Sequence, residues 1–389
     1  MQFSGAVPAD EALARSLNVP FVQLLRNHGV PRFMQELQRL GMSTLDRSAD
    51  NYGLSLILGG AEGKLDELTG IYASLVRYYL YGEDEVDACW PAAATLSSNP
   101  LEDKLALEYT FDAMKELTRP DGSDWKMLSS AQAVAWKTGT SFGYRDAWSI
   151  GVTPDYAVGV WAGNADGSPA AGLTGARTAG PVMFDIFSML PRESNGWPQV
   201  NCDGIEVEIC HHSGMLAGQF CDRIDTLYLP RTAVRTSACP YHQAVRISAD
   251  GSYRAEGPAP GSHMENLFLL PPSMEWFYRQ NHPEYVPLPP LLPGSTSSGM
   301  VNPMQFIYPE AGAVLSLPVQ LDGTPGKAVF HLAHSESDAT VFWYLDTSFM
   351  GSTKDVHQFA MHPDPGFHSV TVMDNSGNSL SVSFSVSEP

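Results

Sequence analysis

Val134-Ala135-Trp136-Lys137-Thr138-Gly139-Thr140, Ala147-Trp148-Ser149-Ile150-Gly151-Val152 and Tyr156-Ala157-Val158-Gly159-Val160-Trp161 are three short runs of β-branched and aromatic residues, separated by turn formers. Such runs predict strands, and their close succession predicts a three-strand meander. Upstream the period changes. Leu13, Leu17, Phe21, Leu24 and Leu25 recur at three- and four-residue spacing, and Phe33, Leu37 and Leu40 continue the stripe to a stop at Gly41. Leu54–Tyr79 contains a Gly59-Gly60 break and then another amphipathic run, and Leu101–Leu117 and Ala179–Leu190 are also helical in composition. Helices flanking an antiparallel meander predict an α+β domain over residues 1–192.

Beyond it the composition shifts twice. Residues 193–300 carry four of the five cysteines and end in Pro287-Leu288-Pro289-Pro290-Leu291-Leu292-Pro293-Gly294-Ser295, the make-up of a semi-rigid connector. Over residues 301–389 short strands such as Val341–Leu345 and Ser379–Phe384 alternate with Gly, Pro, Asp and Asn turns, which predicts a small all-β, immunoglobulin-like sandwich. A length of 389 residues fits this division into more than one core. The formal charge of -20 repels phosphate backbones and anionic lipid surfaces, so nucleic acid is not an expected partner. No run approaches the roughly eighteen apolar residues that cross a bilayer, and the N-terminus has no basic region followed by an apolar one.

Two short segments can carry chemistry. On the first predicted strand, Lys137-Thr138-Gly139-Thr140 offers an ammonium and two hydroxyls for charge-assisted hydrogen bonds to a carboxylate, and Gly139 lets a substrate approach the backbone. Taken alone, the same residues are compatible with an exposed edge strand. Ser16-Leu17-Asn18 places a hydroxyl that can relay protons beside an amide that can orient a chain, although a capping serine and a turn asparagine would look the same.

Taken together, in this order and about 120 positions apart, the segments resemble the second and third signatures of the penicillin-binding protein and serine β-lactamase superfamily. The flanks sharpen the likeness to the class A penicillin-binding proteins of type 1C. They are Glu11–Pro20, Leu58-Gly59-Gly60-Ala61-Glu62, Arg145-Asp146-Ala147-Trp148 and Gly159-Val160-Trp161-Ala162-Gly163. Phe306–Gly312, Trp343–Asp346 and Pro365–His368 resemble the β module which that subgroup carries at its C-terminus. The resemblance implies a serine D,D-transpeptidase of the periplasm, membrane-anchored when intact, that acts on peptidoglycan stem peptides and binds β-lactams without a cofactor. It implies that Ser16 shuttles protons and Asn18 bonds the acyl chain, that Lys137 supplies charge, and that Thr138 and Thr140 hold the terminal carboxylate. The Thr140 N–H would then donate to the oxyanion.

The sequence departs from the family in its first motif. The sole Ser-x-x-Lys is Ser123-Asp124-Trp125-Lys126, which follows Ser16 instead of preceding it and lies in a polar stretch. The expectation is therefore an N-terminally truncated transpeptidase without glycosyltransferase, signal or anchor, inactive alone, with a complementing fragment or a periplasmic protein as partner. A non-catalytic binding protein that uses the β domain is the alternative. The Gly163-Asn164-Ala165-Asp166-Gly167 loop is also less basic than the family pattern.

Cys202, Cys210, Cys221, Cys239 and His242 are candidates for disulfides or for a tetrahedral zinc, with Cys239 and His242 in Cys-x-x-His spacing. The oxidising compartment implied by the resemblance favours disulfides over a metal. The β-module histidines at 331, 334, 357, 362 and 368 show no shared face and are expected at the surface or at core edges, and Trp343 in the core.

Overall fold

All three quoted runs are strands in the computed structural model, which describes residues 7–82, 103–120, 132–232, 236–255, 257–293, 302–317, 326–336 and 338–387. Cys89, the Trp90–Pro100 loop and Ser123–Lys126 lie outside the described residues. β1 (Ala135–Thr140), β2 (Asp146–Val152) and β3 (Ala157–Gly163) form an antiparallel sheet in that order, with Lys137 opposite Ile150 and Gly139 opposite Trp148. β1 is an edge strand of that sheet.

The chain separates into two compact units. The first comprises Val7–Val207 and Leu227–Arg235. Its helices are α1 (Ala9–Ala14), α2 (Asn18–His28), α3 (Val30–Arg39), α4 (Ala49–Tyr52), α5 (Leu65–Tyr81), α6 (Lys104–Lys115) and α7 (Gly180–Met189). Strand alternation decides which side chains meet which helices. Ala135 and Val152 pack with Val76 and Tyr79 of α5 and Phe111 of α6, whereas Val134, Trp136 and Val158 pack with Met183 and Phe187 of α7. The sheet is thus covered on both faces. A third cluster, including Leu25, Tyr52, Leu56 and Ile71, holds α2, α4 and α5 together.

The second unit comprises Glu208–Thr226 and Thr236–Pro389. Its sandwich pairs β8 (Met304–Tyr308), β10 (Ala328–His334) and β13 (Gln358–Met361) in one sheet. The facing sheet holds β9 (Val314–Leu315), β11 (Thr340–Leu345), β12 (Ser348–Lys354), β14 (Gly366–Asp374) and β15 (Ser379–Val386). Alternate residues from both, including Phe330, Trp343, Val370 and Phe384, fill the space between. One pairing, β15 with β9, is parallel.

The connector differs from a plain linker. It contains a ribbon of β4 (Ile205–Cys210) and β5 (Ile224–Leu229), a second of β6 (His242–Ile247) and β7 (His263–Phe268), and α8 (Pro272–Asn281). α8 docks on the sandwich, where Ser273 Oγ donates to Gln305 Oε1 at 2.7 Å and Trp276 meets the His331 ring edge-on. The histidines are also more interior than the sequence suggests. His334 and His357 are buried, and His334 Nε2 lies 3.3 Å from Asp374 Oδ2 with both side chains enclosed.

Candidate functional site

The loop between α1 and α2 is set by how α1 ends. Leu17 N–H donates to Ala12 O at 2.9 Å and Ser16 N–H to Leu13 O at 3.1 Å, the nested pair of a Schellman motif. That motif puts its first residue beyond the cap in the left-handed region, and Ser16 has φ 53°. Glycine usually fills this position, and a serine there stores strain of a kind that concentrates at functional sites. Leu17 returns to extended backbone, and Asn18 opens α2 two residues from the serine.

Strand alternation places Lys137 on the Ala135 face of β1, and there its Nζ donates to Ser16 Oγ across 121 residues of sequence. Nζ also reaches Thr138 O at 3.2 Å. Burial holds the Lys137 ammonium below the ordinary lysine range. A lysine lowered in this way and bonded to a hydroxyl can give and take a proton through that hydroxyl.

Thr138 and Thr140 share the opposite face, so the ammonium and the two hydroxyls do not project to one side as a set. Behind that face Gly175, which starts a π-helical turn (Gly175–Ala179) ahead of α7, donates its N–H to Thr140 Oγ1 at 3.0 Å. A Cβ on Gly175 would lie 2.5 Å from Trp148 O and 2.6 Å from Gly139 O, so only glycine permits this approach. Past the strand end, Ser141 Oγ accepts from Asp146 N–H at 2.8 Å, and Trp161 Nε1 donates to Asp146 Oδ1 at 3.0 Å. Ser141 therefore pins the turn.

A cleft of about 790 Å³ opens along Gly139, Thr140 and Ser141, walled by Trp148 and Trp161 and by Leu58, Gly59, Ala61 and Glu62. Several of the segments that carried the sequence resemblance thus border one cavity, and Ser16 meets the same strand at Lys137. Sequence reasoning gave no role to Gly175, Asp146 or Trp161. The last two stood in quoted flanks, whereas Gly175 had no signal beyond being a glycine.

The cysteine candidates divide. Cys202 is buried in the first unit, with its Sγ 3.4 Å from Glu108 Oε2, and stands apart from the others. Cys210, Cys221, Cys239 and His242 converge in the second unit. Among the described residues no two cysteines are bridged.

Residues 294–384 match the Penicillin-Binding Protein C-terminus Family. Over 98% of its length the chain is 28% identical to "Penicillin-binding protein 1C" of Escherichia coli (strain K12), of which it covers 50%. It is 30% identical over 46% of its length to "Penicillin-binding protein 1B" of Vibrio cholerae, covering 23% of that protein. The chain thus spans half or less of the curated relatives it matches. The solved Penicillin-Binding Protein 1A from Haemophilus influenzae superposes on 59% of this chain and 41% of its own, at 17% identity and a TM-score of 0.43.

Proposed function

The chain is 1C-like among the class A penicillin-binding proteins, and from that premise we propose that the groove beside β1 recognises the terminal carboxylate of a peptidoglycan stem peptide, or of a β-lactam, for acyl transfer in the periplasm. The observation that carries this reading is the hydrogen bond from Lys137 Nζ to Ser16 Oγ, which joins two motifs far apart in sequence at one place.

In this reaction a serine hydroxyl attacks the carbonyl of the D-Ala-D-Ala bond. An ester forms, the peptide C–N bond breaks, and D-alanine leaves as the amine. The serine's proton must reach that nitrogen, and the Ser16 hydroxyl with Lys137 Nζ behind it is the relay. Asn18 bonds the acyl chain, Thr138 and Thr140 hold the carboxylate, and the Thr140 N–H faces the developing oxyanion. Whichever group attacks, a half-buried lysine with a lowered proton affinity suits the relay.

The nucleophile is the part these residues do not supply. Ser123, the sole serine in Ser-x-x-Lys spacing, follows Ser16 in the chain, opposite to the family order, and lies outside the described residues. The 389 residues by themselves therefore bind the carboxylate-bearing ligand without becoming acylated.

Incubation with a fluorescent penicillin tests this. The expected result is a reversible anisotropy signal, displaced by excess D-Ala-D-Ala-terminated peptide, and no label that survives denaturation. The absence of any reversible signal would remove the groove from the account, and a denaturation-resistant label would show that a nucleophile is present.

A further inference from the structure

We infer that Cys210, Cys221, Cys239 and His242 bind one zinc ion in a tetrahedral Cys3His site that organises the connector. Cys210 ends β4, Cys221 lies in the turn closed by its N–H to Gly218 O at 3.1 Å, Cys239 precedes β6, and His242 opens it. The chain thus returns to one point from three separate segments.

The spacing of the ligand atoms is that of a tetrahedral metal site. The three sulfurs lie 3.5, 3.6 and 3.5 Å from His242 Nδ1. With Zn–S near 2.3 Å and Zn–N near 2.0–2.1 Å, tetrahedral angles require an S···N edge of about 3.6 Å. All four ligand atoms fall within 4.8 Å of one another. Disulfide bonding gives no reason for three sulfurs to be equidistant from one imidazole nitrogen, and three thiols can form only one bridge, leaving one over. Three sulfurs and one nitrogen in this arrangement favour zinc over calcium or magnesium, which take oxygen ligands.

The surroundings fit as well. Cys210 is fully enclosed, and Cys239 and His242 are 7% and 4% exposed. The far nitrogen of His242 faces Asp222 Oδ1 at 3.0 Å, out of line for a full hydrogen bond. A carboxylate on that side orients an imidazole that binds metal through the other nitrogen. Gly218 N–H points at Cys221 Sγ from 3.2 Å, a donor suited to a thiolate.

The connector's own core is small. Phe268 packs against the His242 ring and meets Tyr241, Tyr278 and Tyr285, and among the described residues none of the larger apolar clusters includes a residue between 208 and 293. A structural zinc adds a staple beside this aromatic group and ties together the three segments that carry its ligands.

The test uses the untagged full chain. Elemental analysis should find about one zinc per chain, released when a mercurial titrates the thiols. Exchange with cobalt(II) should give the intense visible bands of tetrahedral coordination, together with a thiolate charge-transfer band. Cys221→Ser, at the most exposed ligand, should weaken that band, whereas Cys202→Ser should leave it unchanged. Because the cobalt spectrum is read on the unaltered chain, failure of a variant to fold does not obscure the result. Substoichiometric zinc with no cobalt spectrum, or a disulfide among Cys210, Cys221 and Cys239 in the purified protein, would overturn the assignment.

Discussion

Replacing Ser16 with glycine and, separately, with alanine distinguishes the conformation of this residue from its chemistry. At φ 53° a Cβ costs about 1–2 kcal/mol, a cost that alanine keeps and glycine escapes. Glycine gives back about 0.5–1 kcal/mol through the freedom it restores to the unfolded chain. Both variants lose the bond from Lys137, so that contribution cancels between them. Ser16→Gly should therefore be more stable than Ser16→Ala by about 0.5–1 kcal/mol, or roughly 1–4 °C in the unfolding of a unit of this size. Within a helix the order is reversed, with alanine ahead of glycine by up to about 1 kcal/mol. Thermal unfolding followed by tryptophan fluorescence reads the difference, and reversible penicillin binding should fall in both variants alike. If Ser16→Ala proved as stable as Ser16→Gly or more so, the Schellman geometry at the end of α1 would be refuted.

Gly175→Ala would press a methyl group onto the backbone oxygens of Gly139 and Trp148, and should destabilise the first unit by about 2–3 kcal/mol, measured by urea unfolding. The same change should weaken carboxylate binding, because the support behind Thr140 shifts. In the sandwich, burial, reinforced by the neighbouring His334, pushes His357 down to about 4. An unfolded histidine titrates near 6.5, so between those values the unfolded chain takes up the extra proton and stability falls as the pH falls. The sandwich should lose up to about 3 kcal/mol across that window, and His357→Gln should flatten the dependence, as judged from urea midpoints at several pH values.

The sheet was legible because its strands are bounded by turn formers and bury both faces, and Gly41, at φ 108°, stops the helical stripe where the apolar spacing ends. The α1–α2 junction was not, because nothing in Ser16-Leu17-Asn18 marks a serine for the left-handed region that glycine usually takes. The ribbons of the connector were hidden for a different reason. β5 and β7 are exposed along most of their length, so pairing makes them strands without apolar alternation. β9 is two residues long and pairs in parallel with the far end of the chain, which no local pattern encodes. The sequence narrowed the cysteine candidates to a small group, but only the fold separates Cys202 from the three that surround His242. Thr138 and Thr140, the hydroxyls proposed for the carboxylate, do share one strand, and their place on the face opposite Lys137 follows from strand alternation.

The most direct test of the groove is an NMR titration of the chain with a D-Ala-D-Ala-terminated peptide and with the same peptide carrying a C-terminal amide. Charge-assisted hydrogen bonds to the free carboxylate contribute about 1.5–3 kcal/mol, so the acid should bind roughly 10–100-fold more tightly, with shifts centred on Ser16 and on Lys137–Thr140. Equal affinity for acid and amide, or shifts confined to other surfaces, would contradict the account.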